Sequence, residues 1–303
     1  MTTAATTTSP TPTPGDTATP ANTSAAPLPR EQVIRARKGL VGVDWGELIR
    51  HRELLGFLIW RDFKVRYKQT VLGLGWAILQ PLCFMAIFSV IAMKLDFSDR
   101  LGVPVPIFYF AGLLPWTFYS VGVQFSSQSL ISQQHLLTKI YLPRLFIPTS
   151  VIVTGLIDMA IASVVFAGFM VWFGIVPDAG FLMLAPLLVL LLLTTLGFGY
   201  LFSGLAVLYR DVRFIVPFFI QGMLFVSAVV FPASEDFVGE KAAWVLAANP
   251  VTGVVEGFRA ALSGGDYPFD WPRLALSAAV GVFVFALGLT VFRQIERRFA
   301  DIA

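Results

Sequence analysis

The chain has 303 residues, of which 56% are hydrophobic and only 14% charged, with a net charge of +3. A soluble domain carries about a quarter charged residues, so this composition excludes the ordinary soluble globular class and leaves a polytopic membrane protein. Cys83, the single cysteine, excludes an internal disulfide framework and any multi-thiolate metal site, and His51 and His135 lie too far apart for a local metal motif.

Residues 1–29 are rich in Thr, Pro and Ala, with Asp16 the only charge, and cannot bury a core. They read as a disordered cytoplasmic tail. They lack the basic start and continuous apolar stretch of a signal peptide.

Residues 30–70 form a basic cytoplasmic or interfacial region, with ten Lys and Arg from Arg30 to Lys68. Within 45–68, Trp45, Leu48, Ile49, Leu55, Leu58 and Ile59 follow helical spacing, interrupted by Arg52, and no proline intervenes. This pattern predicts an amphipathic helix at headgroup level, its basic side toward anionic lipid.

From residue 71 to 303 the charges vanish in blocks. A helix needs roughly 20 apolar residues to cross a bilayer. The uncharged blocks predict six spans, at 71–93, 107–130, 147–173, 183–208, 214–231 and 274–292. Pro104, Pro106 and Pro115 limit the second block to one span. With both termini inside, the internal segments hold 17 Lys and Arg and the external ones 5, which predicts cytoplasmic termini. The connection 232–273 is too apolar for a free loop. Asn249-Pro250 is a helix start and Gly264-Gly265 a stop, so two short helices dipping back into the outer leaflet are expected, with a short helical lid on the outer surface as the alternative.

The fold class is therefore an all-α polytopic membrane protein. It has six transmembrane helices, an N-terminal interfacial amphipathic helix and a re-entrant helical segment before the last span.

Chemistry-bearing motifs are scarce. No lysine follows a glycine, so the nucleotide-binding G-x-x-x-x-G-K-[ST] loop is missing, and neither G-x-S-x-G nor H-E-x-x-H occurs. No catalytic residue, cofactor site or metal site is assigned. Asp158 is the ionisable residue well inside a predicted span; it reads as a helix-packing carboxylate or as the centre of a proton-coupled carrier. Trp76, Phe84 and Phe88 form a stripe on the first span, suited either to lining a glycan passage or to packing. Trp116, Tyr119, Trp172, Tyr209 and Trp271 suit interface belts. Gly199 and Ser203 make a small-residue pair for helix contact. The connection 131–146 carries an amphipathic run closed by Pro143, a shape that docks into a groove or serves as a plain turn.

Several stretches together resemble one family. Glu53–Pro81 (ELLGFLIWRDFKVRYKQTVLGLGWAILQP), Leu137–Arg144 (LTKIYLPR), Tyr209–Val212 (YRDV), Asn249-Pro250 and Glu256–Arg259 (EGFR) look like the type-2 ABC permeases that export polysaccharides, over about 45–300. The resemblance implies a homodimer with two copies of a separate ABC ATPase, which would bind ATP and Mg, in the inner (cytoplasmic) membrane of a bacterium. It implies a lipid-diphosphate-linked glycan as cargo (O-antigen, capsule or teichoic acid) and no nucleic acid. Carried over, Leu137, Lys139, Tyr141, Pro143 and Arg144 form the coupling helix toward the ATPase. Trp60, Arg61, Lys64, Arg66, Tyr67 and Lys68 form the interfacial gate that attracts the diphosphate. Trp76, Phe84 and Phe88 are channel-lining candidates, and Asn249, Pro250, Glu256 and Arg259 shape the outer exit. Export of a lipid or drug by the same fold and a proton-coupled carrier using Asp158 stand as alternatives. The lack of a convergent acid, base or His cluster argues against a membrane transferase.

Overall fold

A computed structural model describes residues 50–68, 73–94, 101–134 and 142–299, and these residues carry helices and turns but no strand. All fall in the compact unit Leu40–Ala303. The tail 1–29 and the segment 30–49 lie outside the described residues.

The first described helix, α1, is Arg52–Tyr67. Glu53 in its first turn and Lys64 and Arg66 in its last complement the helix dipole. Its apolar and charged residues are not sorted to opposite sides. Leu54, Phe57, Trp60 and Val65 are exposed together with Arg52, Glu53, Lys64 and Lys68. The side turned to α4 carries Asp62 and Arg66 as well as Leu58, because the facing side of α4 offers Ser150, Thr154 and Asp158 as partners.

Gly73, at φ +50°, turns the chain before α2, Gly75–Lys94. The first span thus starts four residues later than its apolar run. Next comes α3, Val105–Ser132, with Pro106 in the first turn where a missing N–H costs nothing, while Pro115 is accommodated inside. Then come α4, Phe146–Phe173, ended by Gly174 at φ +70°, a 3₁₀ turn Ala179–Met183, and α5, Leu184–Leu208. Helix α6, Val212–Val226, is followed by one turn α7, Glu235–Val238, then α8, Glu240–Ala247, α9, Pro250–Leu262, and α10, Trp271–Phe299.

Five helical stretches among the described residues are long and apolar enough to cross a membrane: α2, α3, α4, the 3₁₀ turn with α5, and α10. The expected span at 214–231 is the 15-residue α6, which stops at Val226, short of roughly 20 residues. Helix α10 runs past 292 because Arg293, Gln294 and Glu296 prolong it as good helix formers.

Helix α3 is the hub: 72% of its apolar window is buried, against 22% to 33% in the other four stretches. At one end of the bundle Leu58 of α1, Leu130 of α3, Leu142, Leu145, Phe146 and Ile147, Tyr200 of α5, and Leu289 and Phe292 of α10 share an apolar cluster. So α1 and the end of α10 lie at the same end of the bundle. Helices α5 and α10 cross at glycine: a Cβ on Gly288 would stand 2.0 Å from the Gly197 carbonyl oxygen. Gly199, from the expected small-residue pair, instead faces Ile152 and Ser126.

Candidate functional site

The seam between α1 and α4 gathers the polar chemistry of the near half of the bundle. Asp62 accepts from Ser150 Oγ at 2.7 Å and pairs with Arg61 at 2.6 Å. Arg61 also reaches Gln133 at the end of α3, at 2.6 Å. Thr154 Oγ1 donates to the Ile59 carbonyl at 3.3 Å. One helical turn further, Arg66 forms an ion pair with Asp158, and the Tyr67 hydroxyl donates to the same carboxylate. Both charged side chains are mostly shielded from solvent. Burial, and then the neighbouring Asp158, push the Tyr67 hydroxyl above its ordinary range, so it stays protonated and available as a donor.

Asp158 stands 12 residues into α4, about 18 Å along it at 1.5 Å per residue. The ion pair closes one rim of a cavity of about 240 Å³ between α1, α2, α3 and α4. Its walls are mainly apolar, with Trp76, Pro81, Phe118, Phe125 and Met159 among them. The Arg66 guanidinium also sits 5.2 Å from the Phe125 ring centroid, and Lys64 lies 5.1 Å from that of Trp60.

At the opposite end, Arg259 of α9 is 2% exposed. It donates to the carbonyls of Phe108 at 3.2 Å, Ala228 at 2.6 Å and Val229 at 2.8 Å, and to Glu256 at 3.0 Å. Its guanidinium lies 3.7 Å from the Phe108 ring centroid. Glu256 in turn accepts from the Ala233 N–H at 3.0 Å and from the Tyr267 hydroxyl. Asn249 Oδ1 caps α9 through the Val251 N–H at 3.0 Å, and its Nδ2 donates to Ser227 at 2.9 Å. Arg259 thus takes up the carbonyls of Ala228 and Val229, just past the end of α6. Ala228 adopts φ +55°, a strained value for a residue with a Cβ.

The expected site residues divide accordingly. Leu137, Lys139 and Tyr141 lie outside the described residues. Pro143 and Arg144 are described, and Arg144 donates to the Glu296 carbonyl of α10 at 3.1 Å. Of the basic residues expected in the gate, Arg61 and Arg66 are held in ion pairs, while Lys64 and Lys68 are exposed. Trp76 lines the cavity and Phe84 is exposed. Phe88 is buried, stacked on Phe84 at 5.9 Å and beside Tyr109 at 5.6 Å, so within this chain it packs the core. Asn249, Pro250 and Arg259 are buried and Glu256 is half-buried, so they brace the segment after α6. The partners of Asp158 come from α1, outside the spans, so the pattern along the span that holds Asp158 does not reveal Arg66 and Tyr67. The signal available was a basic-aromatic pair at the end of the preceding helix.

A bundle of long apolar helices, braced at one end by a short buried helix and joined at the other to a basic helix, is a multi-pass membrane protein. Residues 53–263 match the family ABC-2 type transporter, and the chain belongs to that family. It is similar to the "O-antigen export system permease protein RfbA" of Myxococcus xanthus, 30% identical over 257 residues, covering 84% of this chain and 97% of the relative. A protein of the same description from Klebsiella pneumoniae is 27% identical over 82% of this chain and 95% of its own length. The "Polysialic acid transport protein KpsM" of Escherichia coli is 26% identical over 79% of this chain and 92% of the relative.

Proposed function

We propose that this chain is the membrane-spanning permease subunit of an exporter that moves a lipid-linked polysaccharide of O-antigen, capsule or teichoic-acid type across a bacterial inner membrane. The observation that carries the reading is the near-complete coverage of an O-antigen export permease by a chain of the same family. Two copies pair, and each engages one ABC ATPase, which binds ATP and Mg and supplies the energy.

Six crossings are reached when α6 and the turn residues after it count as one, with α1 and the end of α10 on the cytoplasmic side. Arginine-held carbonyls after Val226 suit a chain that stays at membrane depth without helix, since backbone polar groups there need protein partners. On this reading α7, α8 and α9 are the re-entrant segment at the outer exit. Residues 71–303 are then the permease domain, 30–70 the interfacial region and 1–29 a cytoplasmic tail.

The coupling connection 137–144 meets the ATPase. Its movement passes directly to the bundle, because Leu142 and Leu145 sit in the apolar cluster with α1 and α10 and Arg144 holds the end of α10. ATP binding in the partner then favours the state in which that cluster is shifted. Lys64 and Lys68, exposed at the end of α1, attract the carrier diphosphate through charge-assisted hydrogen bonds. Arg66 is held by Asp158, which favours a helix-securing role for that carboxylate over proton carriage.

The test is co-purification with an ABC ATPase. The complex is expected to hydrolyse ATP faster when a lipid-linked glycan is added, and this chain alone to hydrolyse none. ATP hydrolysis by the purified chain alone, or failure to retain an ATPase, contradicts the reading.

A further inference from the structure

Between the connection before α3, the segment after α6, α9 and the start of α10 lies a cavity of about 560 Å³. Its size falls within the roughly 300–1,000 Å³ of small-molecule sites. Every lining segment belongs to the external connections or adjoining helix ends in the proposed topology. We propose that this cavity is an outer glycan-binding subsite that accepts uncharged sugar units and rejects anionic ones, an inference that rests on the export reading.

Three observations carry it. The first is an aromatic platform. Phe269 and Trp271 both line the cavity and stack with centroids 5.0 Å apart at 20°, and Trp271 is 53% exposed. A flat, accessible aromatic face suits the apolar C–H face of a pyranose ring.

The second is a set of polar groups with spare capacity. Asp236 and Asp266 line the cavity, are exposed, and have no hydrogen-bond or ion-pair partner among the described residues. Arg273 lines it too; it is paired with Asp270 at 2.6 Å and with Glu235, while its Nε is buried with no acceptor. The free carboxylates of Asp236 and Asp266 accept from sugar hydroxyls.

The third is the sign of the field. Asp236, Glu256, Asp266 and Asp270 line the cavity, with Arg273 the one cation among its lining residues. Glu256 is answered by the buried Arg259 and Asp270 by Arg273, which leaves Asp236 and Asp266 uncompensated. Low-dielectric walls focus that negative potential. A carboxylate on a sialic or uronic acid unit would enter against it, so the charges select against anionic glycans as well as binding neutral ones.

The experiment uses the full chain in lipid nanodiscs with two probes, maltohexaose and a hexamer of sialic acid, read by saturation-transfer NMR. Maltohexaose is expected to receive saturation. The signal should fall at least fivefold in Trp271→Ala and recover in Trp271→Phe. The sialic acid hexamer is expected to give at least tenfold less signal, and to gain signal in the Asp236→Asn/Asp266→Asn variant. The proposal is overturned if neither probe binds, if Trp271→Ala leaves the maltohexaose signal unchanged, or if the sialic acid hexamer binds the unaltered chain equally well. Surface glycan export by the same chain is measured in parallel. Export without probe binding removes the subsite and keeps the export reading; loss of the export reading removes the substrate assignment with it.

Discussion

The Arg66 guanidinium at the end of α1 and the Asp158 carboxylate well inside α4 form an ion pair across 92 residues of sequence, with the Tyr67 hydroxyl completing the site. It places a cation against a span that otherwise carries no charge from Phe146 to Phe173. Removing one partner leaves the other largely desolvated without compensation. Asp158→Asn and Arg66→Met are each expected to lower stability by about 1–3 kcal/mol, less than a fully buried pair because both side chains keep some exposure. The double variant should lose less than the sum, read from thermal midpoints in detergent. Additive losses would show that the two groups do not interact.

Arg259 has a different task, since it is itself buried and collects three carbonyls and a carboxylate. Arg259→Met should cost about 3 kcal/mol or more and expose 227–233 to proteolysis. By contrast Ala228→Gly should raise stability by about 1 kcal/mol, because the left-handed backbone there strains a Cβ. Unchanged protease resistance in Arg259→Met would contradict the bracing role.

The glycine contact of α5 and α10 makes a steeper prediction. Gly288→Val forces a side chain into the Gly197 carbonyl, and separating two packed helices should cost more than the ~1–3 kcal/mol of ordinary overpacking. Gly56→Ala, where no atom lies within 4 Å of the added methyl, should be neutral or stabilising by up to about 1 kcal/mol. Size-exclusion profile and thermal midpoint separate the two. Equal behaviour of the two variants would mean that the helices do not cross at this point.

Much of this architecture is readable from residues alone. Uncharged blocks mark the long helices because a charge in hydrocarbon is costly. Asn249-Pro250 and Gly264-Gly265 mark the ends of α9 through capping chemistry that is local in sequence. What local pattern does not carry is pairing across the bundle. Residues 227–231 look like more helix. They leave it because Arg259, some thirty residues later, binds their carbonyls. The basic run on α1 suggests a surface wholly given to anionic lipid. Yet Arg61 and Arg66 are spent on Asp62 and Asp158, a partition set by tertiary contact. Arg52, which interrupted the apolar spacing, was the local sign that α1 would not sort its residues into two faces.

If Lys64 and Lys68 supply the attraction for the carrier diphosphate, Lys64→Glu/Lys68→Glu should reduce export at least tenfold. Stability should fall by no more than about 2 kcal/mol, from the lost helix-dipole and Trp60 contacts of Lys64, since both lysines are exposed. Surface glycan and thermal midpoint are measured on the same variant. Normal export would assign the diphosphate to other residues, and a large fall in midpoint would assign the two lysines a structural role.

Surface polysaccharide in a strain lacking this chain tests the export reading most directly. The prediction is that glycan disappears from the cell surface while its lipid-linked form builds up in the inner membrane, and that returning the chain reverses both. A deletion strain with undiminished surface glycan, or one that loses it without any lipid-linked glycan accumulating, would contradict the assignment.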